Sequence, residues 1–221
     1  KRSLQFFGKD GLALHKIYLT KDSNEAEFDA LTEKYKATEQ SYEIETEAIA
    51  PKPAEKPDSE IDVEGFQQSW IDLKDTHNFF TMLRKYGVTR TQALRLAPTD
   101  YHAKQINKDS IVKMLEKAAE TETPIMVFTG NKGNIQIHTG NIKRTMWHEN
   151  WFNILDPDFN MHLDMDKIAT SWIVRKPTED GIVTAIEVFN DKGEIIVQFF
   201  GKRKPGIAEL EQWREIVAEL N

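Results

Sequence analysis

Ile186-Glu187-Val188-Phe189-Asn190-Asp191-Lys192-Gly193-Glu194-Ile195-Ile196-Val197-Gln198-Phe199-Phe200 sets two apolar runs on either side of a polar turn that closes on glycine. That is the pattern of a β-hairpin. A helix should follow, with a buried stripe at Leu210, Trp213 and Val217. The chain opens on the same unit. Residues 1–36 align with residues 183–218 at one constant offset of 182 without a gap. Leu4-Gln5-Phe6-Phe7-Gly8-Lys9-Asp10-Gly11 then falls on Ile186 to Gly193, so Phe7 meets Phe189 and Gly11 meets Gly193. The first helix has its stripe at Phe28, Leu31 and Tyr35. Two generic hairpin-helix units would be the plainer reading, but the gapless offset predicts an internal duplication. The chain begins without Met, directly in a strand-like run. The expectation is therefore a truncated first repeat, short of the second by on the order of a hundred residues.

Working inward from the two ends, residues 39–62 are rich in Glu, Pro, Lys and Ala, with Pro51, Pro53 and Pro57 favouring extended backbone. This is a linker. It divides the chain into the tail of a first repeat (residues 1–38) and a complete second repeat (residues 63–221). The second repeat starts helical. One helix is expected over 65–74, and another runs from an Asp75 cap through Lys85 to a stop at Gly87. Thr89-Arg90-Thr91-Gln92 fits a capping box, opening a helix that Pro98 ends. A further helix covers 109–119. From Pro124 the period changes to two, predicting strands over 125–129, 134–139, 142–147, 151–155, 159–163 and 172–176 before the terminal hairpin. Helices followed by hairpin-linked strands imply an α+β fold: an internally duplicated unit of helices packed on a large antiparallel β-sheet.

Composition narrows the function. At 39% hydrophobic residues the chain can build a real core, and no apolar run reaches the roughly 18 residues of a membrane span. The start also lacks the apolar centre of a signal peptide. With no cysteine, disulfides and thiolate chemistry are excluded, which fits a reducing, cytoplasmic setting. A formal charge of −7 argues against general nucleic-acid binding. An anionic ligand would need a local basic pocket, and the cations are concentrated at Arg84, Lys85, Arg90 and Arg95, at Arg175-Lys176 and at Lys202-Arg203-Lys204. No P-loop, dinucleotide glycine fingerprint, nucleophile elbow or HExxH is present.

His77 is the residue with the most chemistry in reach. It falls in the first turn of a predicted helix, with Phe80 and Arg84 three and seven positions on. An imidazole beside an aromatic ring and a cation suits a planar anionic cofactor. Such a His can give an axial nitrogen to haem iron while Phe covers the macrocycle and Arg pairs with a propionate; a capping or surface His is the plainer alternative. His138 and His162 alternate with apolar neighbours and read as sheet-surface residues. Asp156-Pro157-Asp158 and Asp164-Met165-Asp166 lack the companions of a calcium loop, and capping accounts for the second pair. The five Trp are spread through the chain, as core and interface packing would have them.

Four segments carry a resemblance to a known family: Asp75-Thr76-His77-Asn78-Phe79-Phe80 with Gly87-Val88-Thr89-Arg90; Met126 to Gly140; Ser171-Trp172-Ile173-Val174-Arg175-Lys176-Pro177-Thr178 with Asp180-Gly181; and Gln198-Phe199-Phe200-Gly201-Lys202-Arg203. In this order they resemble the bacterial haem-degrading and haem-utilisation proteins of the HemS, ChuS and HmuS type. The resemblance implies two structural repeats with one haem held between the halves, and His77 as the axial iron ligand. It further implies Arg90, Lys176 and Arg203 as haem-pocket cations, with Gln198 nearby. A distal arginine expected from the first half would precede Lys1. Two activities stay open: haem degradation by ring opening with release of iron, or carriage of intact haem as a chaperone. The implied partners are haem, a haem-uptake transporter or acceptor protein and an unspecified electron donor. A homodimer is a further candidate assembly.

Overall fold

The computed structural model describes residues 2–220, in two compact units. The first runs to Pro53 and takes in Asn131–Ile135. In it β1 (Ser3–Phe7) and β2 (Ala13–Tyr18) pair antiparallel, and α1 (Glu25–Tyr35) starts from Asn24, whose side chain accepts from the Glu27 N–H. Asn131 donates to the Leu14 carbonyl at 2.8 Å and Lys132 pairs with Asp10 at 2.9 Å.

The second unit comprises Ala54–Gly130 and Gln136–Asn221. Its helices α2 (Val63–Ile71), α3 (Asn78–Tyr86) and α4 (Arg90–Arg95) come first. Then follow β3 (Ala103–Ile106), α5 (Asp109–Glu120), β4 (Ile125–Gly130), β5 (Ile135–Gly140), β6 (Thr145–His148), β7 (Trp151–Leu155), β8 (Asn160–Asp164), β9 (Thr170–Thr178), β10 (Gly181–Phe189), β11 (Ile195–Gly201) and α6 (Glu211–Ala218). The strands form a six-stranded sheet in the order β3-β9-β10-β11-β4-β5 and a separate three-stranded sheet β6-β7-β8.

The expected α+β class is what the chain adopts, with two differences of arrangement. The single large sheet is divided, because alternation fixes which strands exist but not which of them pair. The strand β3 is unforeseen: Ala-Lys-Gln-Ile is short, lacks a β-branched run, and gains its place only by pairing with β9. The terminal hairpin and the opening one share a local irregularity. The register slips between Val188↔Val197 and Phe189↔Ile195, and likewise between Phe6↔His15 and Phe7↔Ala13, positions that differ by 182. Both turns place glycine at positive φ, +78° at Gly11 and +67° at Gly193, where L side chains are disfavoured.

The faces of the six-stranded sheet are used differently. On one, Ile173, Ile186, Val188, Val197 and Phe199 pack against α5, α6 and the three-stranded sheet. Trp213 of α6 closes so tightly that a Cβ on Gly201 would lie 2.6 Å from its ring, so only glycine fits there. On the other face, α2, α3 and α4 bury Phe66, Trp70, Phe79 and Leu94 against Ala103, Trp172, Val174 and Phe189. Trp70 fixes this layer by donating to the Arg175 carbonyl at 3.0 Å. These helices reach the β3-β9 end of the face. Met126, Phe128, Gln198 and Phe200 toward its β4 end stay half-buried. Among the described residues no helix is long and apolar enough to cross a membrane.

Candidate functional site

The part of the sheet face left by the helices is the floor of a cavity of about 820 Å³, within the range that holds small molecules and cofactors. Met126 and Phe128 of β4 and Phe200 of β11 line it, with the Phe128 and Phe200 rings 5.1 Å apart. His77, Arg90, Lys176, Gln198 and Arg203 all line this one cavity. Residues up to 126 positions apart in sequence thus line one cavity because α3 and α4 cross the end of the sheet whose β9 and β11 carry Lys176 and Gln198, with Arg203 just beyond β11.

His77 sits immediately before α3 rather than inside its first turn, and its side chain is 92% exposed. Asp75 fixes it twice: one carboxylate oxygen accepts from the His77 backbone N–H at 2.8 Å and from the ring Nδ1 at 2.7 Å. The backbone N–H and then the imidazole hold the Asp75 carboxyl below the ordinary carboxylate range. With Nδ1 engaged, Nε2 is the ring nitrogen that can donate a lone pair to a metal, and the carboxylate on the other nitrogen fixes the ring's orientation. Phe80, 60% exposed, lines the cavity beside it.

Arg84 lies outside this group. It stacks over the Phe80 ring at 5.0 Å and lines a neighbouring groove with Leu83 and Val88. Arg95 pairs with Glu55, and Arg175 donates to the Tyr101 carbonyl, so these basic residues too point elsewhere. Arg203, which also lines the cavity, lies 3.7 Å from Asp180, which also accepts from the Gly206 N–H.

Behind the inner wall lies a buried acidic residue on β10. Glu187, at 0% exposure on β10, accepts from Arg90 Nε at 2.9 Å and again from Arg90 Nη2, from Lys176 Nζ at 2.9 Å and from Gln198 Nε2 at 3.2 Å. Three of the expected cavity residues therefore converge on one carboxylate behind the wall. Arg90 and Lys176 also lie over the Phe79 ring, at 4.7 and 4.6 Å. Burial pushes the Glu187 carboxyl up, but Arg90 and then Lys176 outweigh it and hold it at about 2. For Lys176 burial is the largest influence; with Arg90 beside it, this brings the ammonium down to about 8 against the pull of Glu187. Two cations against one carboxylate leave the cluster formally +1, which suits one incoming carboxylate.

The signal for Glu187 was present in the sequence. It interrupts Ile186-Glu187-Val188 in a strand buried on both faces, where an ionised side chain must be paired. His138 stacks flat on Phe159 at 3.8 Å and His162 bonds Asn153 at 2.6 Å; neither lines the large cavity. Asp164 caps the turn Met165–Lys167 by accepting from the Asp166 N–H, as expected. Among the described residues no group of three or more His, Cys, Asp or Glu could hold a metal ion.

Comparison with known proteins gives a consistent result. The model of the haemin-degrading HemS.ChuX domain matches residues 1–35 and 87–220. The chain is 37% identical to the hemin transport protein HemS of Yersinia enterocolitica, over 100% of this chain and 63% of that protein. Among solved structures, holo-PhuS, a heme-binding protein from Pseudomonas aeruginosa, superposes with a TM-score of 0.96 at 43% identity over 99% of this chain and 63% of its own. ChuS, described as an E. coli heme oxygenase, gives 0.86 at 35% identity over 99% of this chain and 64% of its own. The chain thus spans under two thirds of the length of each of these relatives.

Proposed function

The chain belongs to the haemin-degrading HemS.ChuX domain family, and we propose that it binds haem in the 820 Å³ cavity, with His77 as the axial iron ligand. The residues present fit the group. The observation that carries the reading is the Asp75-held imidazole, with Nε2 left to coordinate, at a cavity floored by Met126, Phe128 and Phe200 and walled by cations. Iron protoporphyrin needs these three things: one nitrogen donor, an apolar bed for the macrocycle and partners for two carboxylates. Arg90, Lys176 and Gln198 would receive one propionate at the inner wall, and Arg203 the other at the rim.

When bound, haem supplies a redox-active iron and the ring to be opened. The chain's own residues orient the ring, neutralise its carboxylates and shield one face from water, while Asp75 holds the Nδ1 proton of His77. The reading extends to haem degradation with release of iron, after delivery from a haem-uptake transporter, with electrons from an external donor. One observation favours the alternative of a haem carrier. His77 is almost fully exposed, so an acceptor protein could reach the ligand and take the haem intact.

Titration with ferric haem tests the binding reading. The expected result is a saturable Soret shift that His77→Ala abolishes, and an unchanged shift in the variant overturns the ligand assignment. Ascorbate is then added under air, with catalase present. Loss of bound haem with an opened tetrapyrrole as product supports degradation, whereas transfer of intact haem to apomyoglobin without bleaching supports the carrier.

A further inference from the structure

We propose that Glu187 is a positioning residue for the carboxylate of the bound tetrapyrrole: from behind the cavity wall it fixes the Arg90 guanidinium and keeps the Lys176 ammonium charged, so that two cations face one incoming carboxylate. The proposal rests on the haem reading above and adds a residue that is not itself part of the cavity lining.

The geometry separates Glu187 from the residues it serves. Arg90, Lys176 and Gln198 line the cavity, whereas Glu187 is wholly buried and touches all three. Its two oxygens hold Arg90 by two donors, a fork that fixes the guanidinium plane. The charged groups facing Lys176 are Glu187 from β10 and Arg90 from α4; α3 contributes the Phe79 ring and β11 the Gln198 amide. The cavity's remaining charges include Arg203 paired with Asp180, and Lys74, Asp75 and Glu179. Lys176 is 4% exposed and lies beside a second cation, so among the described residues Glu187 is the one attractive charge acting directly on it. Remove that charge and both burial and Arg90 favour the neutral amine.

The consequence is a change in how the site couples to protons. With Glu187 present, Lys176 keeps its proton up to about pH 8, and carboxylate binding below that pH needs no proton uptake. With Glu187→Gln, Lys176 releases its proton at lower pH, and above that pH Arg90 is left to face the carboxylate without the second cation unless Lys176 takes up a proton on binding. Affinity then falls as pH rises above the new, lower value, by at most ten-fold per pH unit. Below that value the variant cluster carries one more net positive charge and binds at least as tightly as wild type. A purely structural ion pair would lower affinity by a constant factor at all pH values.

Ferric haem affinity of the full chain, measured by Soret titration from pH 6 to 9 for wild type and Glu187→Gln, tests this. Effects of pH that do not involve the Glu187 cluster are common to both proteins and cancel in the ratio of affinities. The expected ratio of wild type to variant rises at least ten-fold between pH 6 and pH 8, and Glu187→Asp, which keeps the charge, restores a flat ratio. Haem binding by wild type with a pH-independent ratio for Glu187→Gln overturns the proposal while leaving the haem reading intact. Failure of wild type to bind overturns the haem reading itself and the proposal with it. If Glu187→Gln does not fold, Lys176→Met serves. Wild type must then lose its advantage over that variant as pH rises through about 8, and a constant advantage overturns the proposal.

Discussion

A carboxylate at the centre of a six-stranded sheet has to be compensated where it stands, and for Glu187 the compensation comes from residues far away in sequence: Arg90, Lys176 and Gln198. His77, Arg90, Lys176, Gln198 and Arg203 could be singled out because they fall in recognisable segments. Glu187 was hidden because its importance depends on strand pairing, which puts Gln198 and Trp172 on either side of it. The pairing has a measurable energetic side. The folded carboxyl sits at about 2 against an ordinary value of 4.5. Its contribution is therefore fully present above pH 4.5 and is lost as pH falls toward 2, on the order of 3 kcal/mol in all. Urea unfolding should find Glu187→Gln less stable than wild type at pH 7, with the gap closing between pH 4.5 and 2. A gap of constant size across that window would mean that packing, not charge, sets the cost.

At the scale of elements, the α3-α4 junction aligns the site, and most of it could be read in advance. Gly87 takes φ +64° and ends α3, and Thr89 caps α4 by accepting from the Gln92 N–H, as the glycine stop and the capping box predict. The reciprocal half of the box does not form. Gln92 instead turns its amide to the Lys56 carbonyl and to Asp58, tying down the segment ahead of α2. No local pattern could announce that, because the competing acceptors lie more than thirty positions away. Since Arg90 is the first residue of α4, its aim toward Glu187 depends on this cap. Thr89→Ala should cost about 1 kcal/mol of stability and weaken haem binding in proportion to the lost alignment of Arg90. Urea midpoints and haem titration of the same variant measure both, and an unchanged midpoint would show that the cap bond is dispensable.

For the molecule as a whole, the duplication proposed from the offset of 182 gains support from detail that simple apolar alternation would not produce. In both hairpins the register slips at equivalent positions, and the turns share two backbone bonds: Gly8 N–H to the Leu12 carbonyl with Gly11 N–H to Gly8, and Asn190 N–H to the Glu194 carbonyl with Gly193 N–H to Asn190. The proposal makes the second unit a complete copy, with its own helices, sheet and cavity. Among the described residues every one that lines the cavity falls within Lys74 to Gly206, and none of them belongs to the first unit. Its two core clusters likewise draw only on residues from Ile61 onward. A chain begun at Ala54 should therefore unfold cooperatively and retain a haem-dependent Soret shift that His77→Ala removes. The turn at Asn131 would lose its bonds to Leu14 and Asp10 would no longer pair with Lys132, but these are exposed contacts of small energetic weight. Cooperative unfolding without haem binding would assign residues 2–53 a part in holding the ligand. Loss of cooperative unfolding would show that the second unit depends on the first for its core.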